Sequence, residues 1–399
     1  MANLENFKSA YAFIESVSKP FQQVSQYERA NVVLDIISEA AFNGGRGDSR
    51  DPKDLAIVRV MSTVNRLQTR FGLGDITDGK WFRVVFQDKS GAPPAWILGA
   101  EDDYGGSVQR TNLIEMQALD DPKSRSRPQV ILLADLSALC ASAQINSQQQ
   151  TLRAVRRLPH NDYFVRLVDV GHASFSAIHT SQDANSQILG YFDVGGPVFF
   201  HHHTFPKAFS EKDRVPKQGF VALSHWDFDH YSLAVTKLPE LRKLRWYAPN
   251  QTIGPNAARL QSLLAGNLTL LTQPAFRIHP GLDLWQGTGP TTDRNNSGYV
   301  LTVSRQRSKI LLTGDANYDM IPLGAQANLS ALSITHHGGA GSGFPPTPKG
   351  GKGAAGVSLG LPNRYHHPNA ASLKAHAVAG WKILRTSHPG GKRGDLWLV

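Results

Sequence analysis

Sulfur chemistry is nearly absent from this 399-residue chain: its one cysteine, Cys140, can close no intramolecular disulfide and build no thiolate-rich zinc cage. Any metal must be held by histidine and carboxylate. Long apolar runs are missing too. The best candidate, Val130 to Ala143, is interrupted by Asp135 and falls short of the roughly 18 residues that a spanning helix needs. No membrane association is expected. The opening Met1-Ala2-Asn3-Leu4-Glu5 lacks the basic and apolar regions of a secretory leader, so the expected compartment is the cytoplasm. Acidic residues are in deficit, with 32 Asp and Glu against 42 Lys and Arg, a formal charge of +10. That excess favours an anionic partner such as nucleic acid. Hydrophobic residues at 41% exclude a disordered polyampholyte, and 36 Gly with 23 Pro in no regular period exclude a collagen-like chain. The length exceeds one ordinary core and predicts two domains.

Apolar residues recur at helical spacing over Tyr27 to Phe42 (Val32, Val33, Ile36, Ile37, Ala40) and over Asp54 to Phe71 (Leu55, Val58, Met61, Val64, Leu67). These patterns predict a mostly helical domain over residues 1–159, with a short hairpin between Trp81 and Leu98. No catalytic motif occurs in it, so an accessory or interaction role is expected, with a partner-regulated effector of a bacterial defence or toxin system as one setting. After Pro159 the texture changes. Phe164 to Val170, Ile188 to Val194, Phe220 to Leu223, Tyr299 to Val303, Ile310 to Leu312 and Leu332 to Thr335 all read as strands, several ending in polar residues. Open α/β architectures often present ligands from loops just beyond strand ends.

The densest chemistry is His225-Trp226-Asp227-Phe228-Asp229-His230, directly after the apolar run Phe220-Val221-Ala222-Leu223. Alternation in an extended loop points His225, Asp227 and Asp229 to one side, and a turn into a following helix can bring His230 beside them. Two cations could share such a loop, and water between paired metals loses a proton readily to become a hydroxide nucleophile. Two more strands end in the same manner. Ile310-Leu311-Leu312-Thr313-Gly314-Asp315 delivers a carboxylate, and Leu332-Ser333-Ile334-Thr335-His336-His337-Gly338-Gly339 delivers adjacent histidines. Each alone has an ordinary structural explanation as a turn former, cap or exposed side chain; three in one domain point to a metal site.

These residues resemble the metallo-β-lactamase-fold hydrolases, whose signature loop is usually His-x-His-x-Asp-His. Asp227 stands where the second His normally is, and this variant, with Leu-Leu-Thr-Gly-Asp and His-His-Gly, looks like the hydrolase domain of the ComEC type of competence protein. Val168-Asp169-Val170-Gly171, Phe192-Asp193-Val194-Gly195-Gly196, Asn295-Asn296-Ser297 and Asn363-Arg364-Tyr365-His366-His367-Pro368 echo that family in its order, over roughly residues 162–399. The resemblance implies an αββα sandwich over residues 160–399, with His225 and Asp227 on one metal and Asp229 and His230 on the other. Asp315 would bridge them, and His336 or His337 would complete the second site. A histidine ligand found in many members between the loop and the bridging Asp has no clear equivalent; His279 reads as structural.

A carboxylate in place of an imidazole adds a hard, anionic ligand and favours Mn²⁺ or Mg²⁺, with zinc as the other choice. The expected activity is phosphodiester hydrolysis by metal-hydroxide attack, on DNA or RNA, with a small phosphodiester such as a cyclic nucleotide as the alternative. Arg364 and Asn296 are candidate phosphate contacts, and His367 is a candidate acid for the leaving oxygen. The Gly- and Pro-rich run from Gly338 to Gly356 carries Lys349 and Lys352, whose composition suits a lid touching phosphates or a plain surface insertion. His172 follows Gly171 where the family often has Gln-Gly-Asp, so a substrate-facing carboxylate is absent there; His201-His202-His203 is expected at a loop or strand edge.

Overall fold

The computed structural model describes residues 4–17, 31–44, 51–104, 108–119, 162–182, 186–197, 199–209, 215–363 and 366–398. The expected boundary at Pro159, Cys140 and Arg364 lie outside the described residues. The chain divides into two compact units, residues 1–144 with 252–263, and residues 145–251 with 264–399.

The first unit is a six-stranded barrel, which corrects the expected helical domain. Its strands are β1 (Ser9–Val17), β2 (Asn31–Ser38), β3 (Leu55–Met61), β4 (Trp81–Phe86), β5 (Pro94–Gly99) and β6 (Gln109–Ala118). They close in the order β1-β2-β3-β5-β6-β4, with antiparallel pairing throughout. The cause is legible in β2 and β3. Val32, Leu34 and Ile36 enter the core beside Ala56, Val58 and Val60, a period of two, while Ile37 and Leu55 on the other face are buried as well. Strands covered on both faces imitate a helical stripe, and their β-branched residues favour the pleated form. Closure leaves no exposed sheet edge. Helices do form over Glu39–Asn43 and Val64–Phe71; the latter is capped by Thr63, whose side chain accepts from Arg66 N, and covers only the second half of the Asp54 to Phe71 segment expected to be helical. The expected hairpin is corrected too: β4 and β5 form, but each pairs with β6 instead of with the other. Segment 252–263 joins this unit through buried Asp35, whose carboxylate accepts from Asn256 N at 3.0 Å and from Asn256 Nδ2 at 2.5 Å.

In chain order the second unit contains β7 (Phe164–Leu167), β8 (Phe175–His179), β9 (Ile188–Val194), β10 (Phe220–Ala222), β11 (Arg245–Pro249), β12 (Leu268–Leu271), β13 (Ala275–His279), β14 (Leu282–Gln286), β15 (Tyr299–Arg305), β16 (Ser308–Leu312), β17 (Leu329–Ser333), β18 (Gly353–Val357), β19 (Trp381–Arg385) and β20 (Leu396–Leu398). They form two seven-stranded sheets, ordered β12-β11-β10-β9-β8-β7-β20 and β13-β14-β15-β16-β17-β18-β19. Val165, Leu167, Phe192 and Phe220 of the first sheet share one core with Leu284, Leu301, Ile310 and Leu312 of the second. The second sheet buries its other face beneath Ala316, Ile321, Ala325 and Leu373, and helix Phe228–Val235 lies along β9. This is the αββα layering expected for the C-terminal part. Among the described residues no helix is long and apolar enough to cross a membrane.

Two parallel runs, β9-β10-β11-β12 and β16-β17-β18-β19, position the chemistry, because their carboxyl ends carry Asp193, His225, Asp315 and His337. The turn after β9 must pass close to helix Phe228–Val235: a Cβ on Gly195 would lie 1.5 Å from the Asp229 carbonyl oxygen. Gly195→Ala should therefore lower stability by about 1–3 kcal/mol, the usual range for overpacking. A Cβ on Gly266 would meet nothing within 4 Å, so Gly266→Ala should cause no loss. Thermal melts of the two variants against the parent chain check this; equal midpoints for all three would refute it.

Candidate metal centre

Near the end of β9, Asp193 adopts a left-handed conformation, φ 54°, and is fully buried. Its carboxylate accepts from Ser224 N at 2.8 Å, from Ser224 Oγ at 2.9 Å, from Ser174 Oγ at 3.2 Å and from His230 Nδ1 at 2.9 Å. Ser224 Oγ also lies 3.0 Å from His225 Nδ1. With Nδ1 engaged, both imidazoles turn Nε2 toward the opposite strand ends. Fixing the outer nitrogen of a ligating histidine in this manner sets its tautomer and ring orientation. Asp193 was not singled out from the sequence, although the run Phe192-Asp193-Val194 contains it.

From the second sheet, Gly314 (φ 52°) carries the chain past Ser224 so closely that a Cβ would meet the serine Cβ at 2.6 Å. Asp315 emerges there with Oδ1 3.4 Å from His230 Nε2. His337 comes from the end of β17, where Thr335–Gly338 turns through two consecutive left-handed residues, His336 and His337. Such backbone costs roughly 1–2 kcal/mol per residue. It separates the adjacent histidines. His337 is buried, with Nδ1 donating to Ser358 O at 2.8 Å and Nε2 3.5 Å from Asp229 Oδ2. The His336 side chain is 44% exposed, its Nδ1 3.6 Å from Asp315 Oδ2.

Two ligand groups result among the described residues, His225 with His230 and Asp315, and Asp229 with His230 and His337; donor atoms within each lie within 4.8 Å of one another. The donors fit a divalent cation. Nε2 of His225, His230 and His337 are all buried with no hydrogen-bond partner, an arrangement rare for neutral polar atoms unless a ligand completes it. The site is also electrically polarised. Burial disfavours charge on His230, but Asp315, Asp193 and Asp229 outweigh that and raise its pKa well above the ordinary imidazole value. Burial likewise opposes a charged His337, and Asp229 and Asp315 still raise it. Burial works against the Asp229 carboxylate, yet His230 and His337 hold it down at about 2. Asp315 shows the same balance, burial opposed by His336 and His230, and ends well below the carboxylate range.

Other expected site residues are placed differently. Asp227 belongs to neither group: its Oδ1 is 2.8 Å from Nη2 of Arg294 and its Oδ2 3.3 Å from His225 Nε2. Arg294 was missed because only its downstream neighbours Asn295, Asn296 and Ser297 matched a motif. Asn296 has structural partners, donating Nδ2 to Asp293 Oδ2 at 2.7 Å and accepting from Asn317 N at 2.8 Å. Lys349 and Lys352 precede β18, whereas Ser358, which holds His337, follows it. A five-residue strand of about 17 Å therefore separates them from the centre, and Lys349 donates instead to Arg307 O. His367 does join the site, as part of a histidine wall: its ring is 5.6 Å from those of His336 and His172, and His172 lies 4.8 Å from His337 and 4.9 Å from His201. Burial, then His336 and His337, lower His367 to about 3, so at neutral pH it lacks the extra proton of a general acid. His279 bonds Tyr163 Oη through Nδ1 at 2.6 Å, a structural role.

No known protein-family model matches the chain, and no curated protein matches its sequence. Solved structures similar to it include zinc-bound PqqB from Methylobacterium extorquens, at 13% identity and TM-score 0.33, over 59% of this chain and 99% of that one. Tm1679, a metal-dependent hydrolase of the beta-lactamase superfamily, aligns at 12% identity and TM-score 0.37, over 58% and 98%. The metallo-beta-lactamase fold protein YhfI from Bacillus subtilis aligns at 13% and 0.35, over 59% and 100%.

Because ligating imidazoles must be neutral, metal should compete with protons at His230 and His337, whose pKa values are raised. Affinity should rise with pH up through those values, and calorimetry in buffers of different ionisation enthalpy should detect protons released near neutral pH. A pH-independent affinity would contradict this. Asp193→Asn removes the carboxylate that orients His230 and should weaken metal binding about 10–100-fold, measured by competition with a chelating dye.

Proposed function

We propose that the second unit is a divalent-metal-dependent hydrolase of the metallo-β-lactamase type, acting on phosphodiesters and most directly on nucleic acid. The observation that carries this reading is the pair of buried imidazole Nε2 atoms of His230 and His337, without hydrogen-bond partners and facing the carboxylates of Asp315 and Asp229. His230, His337, Asp229 and Asp315 would hold the ion. A divalent cation there supplies Lewis-acid polarisation of a phosphoryl oxygen and acidifies water.

The chain's own contribution is preorganisation. Asp193 and the Ser358 carbonyl lock the outer nitrogens of His230 and His337, so the donors need not rearrange when charge develops. Asp229, with its side chain 30% exposed, is the ligand carboxylate open to incoming solvent and substrate. The histidines His172 and His367, both held neutral, line the centre without adding negative charge beside an anionic substrate. A phosphodiester is favoured by the formal charge of +10 and by the ordered motifs resembling the ComEC type. Two hard carboxylates among the ligands favour manganese over zinc. The cytoplasm is the proposed compartment, and the barrel unit, which holds neither ligand group, is proposed as an accessory or partner-binding domain.

Incubation of the purified chain with Mn²⁺ and labelled single- and double-stranded DNA and RNA tests the reading. Cleavage is expected, lost in Asp229→Ala and Asp315→Ala and retained in Lys349→Ala. Intact polymers together with turnover of a cyclic dinucleotide or mononucleotide would move the substrate to the small-phosphodiester class; turnover of none would overturn the reading.

A further inference from the structure

A permanent positive charge stands beside the place expected to hold a first cation. Arg294 is 4% exposed, and its Nη2 lies 2.8 Å from Asp227 Oδ1 while Nη1 donates to Trp226 O at 3.4 Å. Its backbone is fixed as firmly as its head group. Asp293 caps the short helix Arg294–Ser297 by accepting from Asn296 N, and Gln251 Nε2 donates to Arg294 O at 2.8 Å and to Ser297 Oγ at 2.9 Å. A guanidinium cannot lose its proton in a protein, so this is a permanent cation. The carboxylate it neutralises is the one standing where the related signature loop has its second histidine.

The ligand groups give a second, independent reason. Both use His230, yet its Nδ1 is taken by Asp193, which leaves one nitrogen for metal. One nitrogen lone pair ligates one ion, so the two groups cannot be filled together. An ion at His225 would then need Asp227, whose Oδ2 faces His225 Nε2 at 3.3 Å but whose negative charge Arg294 already balances through Oδ1. Drawing Asp227 onto an ion would leave the buried guanidinium less compensated, which is strongly unfavourable for a buried pair.

We propose that this centre holds a single divalent ion, on Asp229, His230, Asp315 and His337, and that Arg294 paired with Asp227 takes the place of the second ion. The proposal rests on the metal-dependent reading above and narrows it. The negative charge that a second ion would have balanced is balanced by a side chain instead, so occupancy at that position does not depend on metal supply.

The test uses the full chain, stripped with a chelator, reloaded with excess Mn²⁺ and desalted. Elemental analysis should return one equivalent per chain, and the manganese spin-resonance spectrum should be the six-line pattern of an isolated ion. Arg294→Lys keeps the charge and should also bind one. Arg294→Met can leave Asp227 uncompensated and unfold the unit, so it is combined with Asp227→His, which supplies a neutral ligand in the same loop. This double variant should bind two equivalents, with the spectrum broadened by coupling between neighbouring ions. Two equivalents in the parent chain, or one in a folded double variant, would overturn the proposal while leaving the hydrolase reading standing. No bound metal in the parent chain would overturn both.

Discussion

One buried carboxylate, Asp193, ties together the parts from which the candidate site is made. It receives four hydrogen bonds, from two groups of Ser224, from Ser174 and from His230, and so joins the ends of two adjacent parallel strands to the start of the following helix. Burying a carboxylate is expensive unless its lone pairs are satisfied and its charge is opposed. Here both conditions are met by groups whose orientation matters for chemistry. Release of Asp193 would free the His230 ring to rotate and loosen the approach of the two sheets at Ser224 and Gly314.

Charge compensation then explains the arrangement around it. Asp193, Asp227, Asp229 and Asp315 gather within a few residues' reach, and each has a cationic or hydrogen-bonding counterpart: His230 for three of them and Arg294 for Asp227. In the absence of metal, the raised pKa values of His230 and His337 let protons supply positive charge that a cation would otherwise supply. Protons on these histidines balance the centre's carboxylates, and a divalent ion bound in their place would have to displace those protons, which would make its binding depend on pH. Arg294 belongs to neither regime. Its charge is constant, which distinguishes the Asp227 corner from the His230 corner.

The surrounding histidines behave in the opposite sense. His172 and His367 are held neutral mainly by burial, with neighbouring histidines adding to the effect. One wall of the site is thus aromatic and uncharged, while the floor is ionic. The lysines expected to act as a lid, Lys349 and Lys352, sit beyond the far end of β18, so positive charge near the centre comes from imidazoles and a guanidinium instead.

Much of the second unit was legible in its sequence because strand ends there carry their chemistry locally: an apolar run, a glycine or short turn, then a potential ligand. His225, Asp229, His230 and Asp315 could be named from such runs, and the alternation of buried residues predicted their strands. The barrel could not be recognised in the same manner, since residues such as Val32, Ile36 and Ile37 are buried on both faces of one strand and satisfy a helical count as well as an alternating one. The choice between His336 and His337 and the pairing of Asp227 with Arg294 were likewise decided in three dimensions. Adjacent residues differ in direction only through backbone torsion, and residues 67 positions apart meet only through sheet packing. Local order determined which side chains could serve as ligands; tertiary structure alone decided which of them converge and which are already paired, because charge balance depends on distance through space.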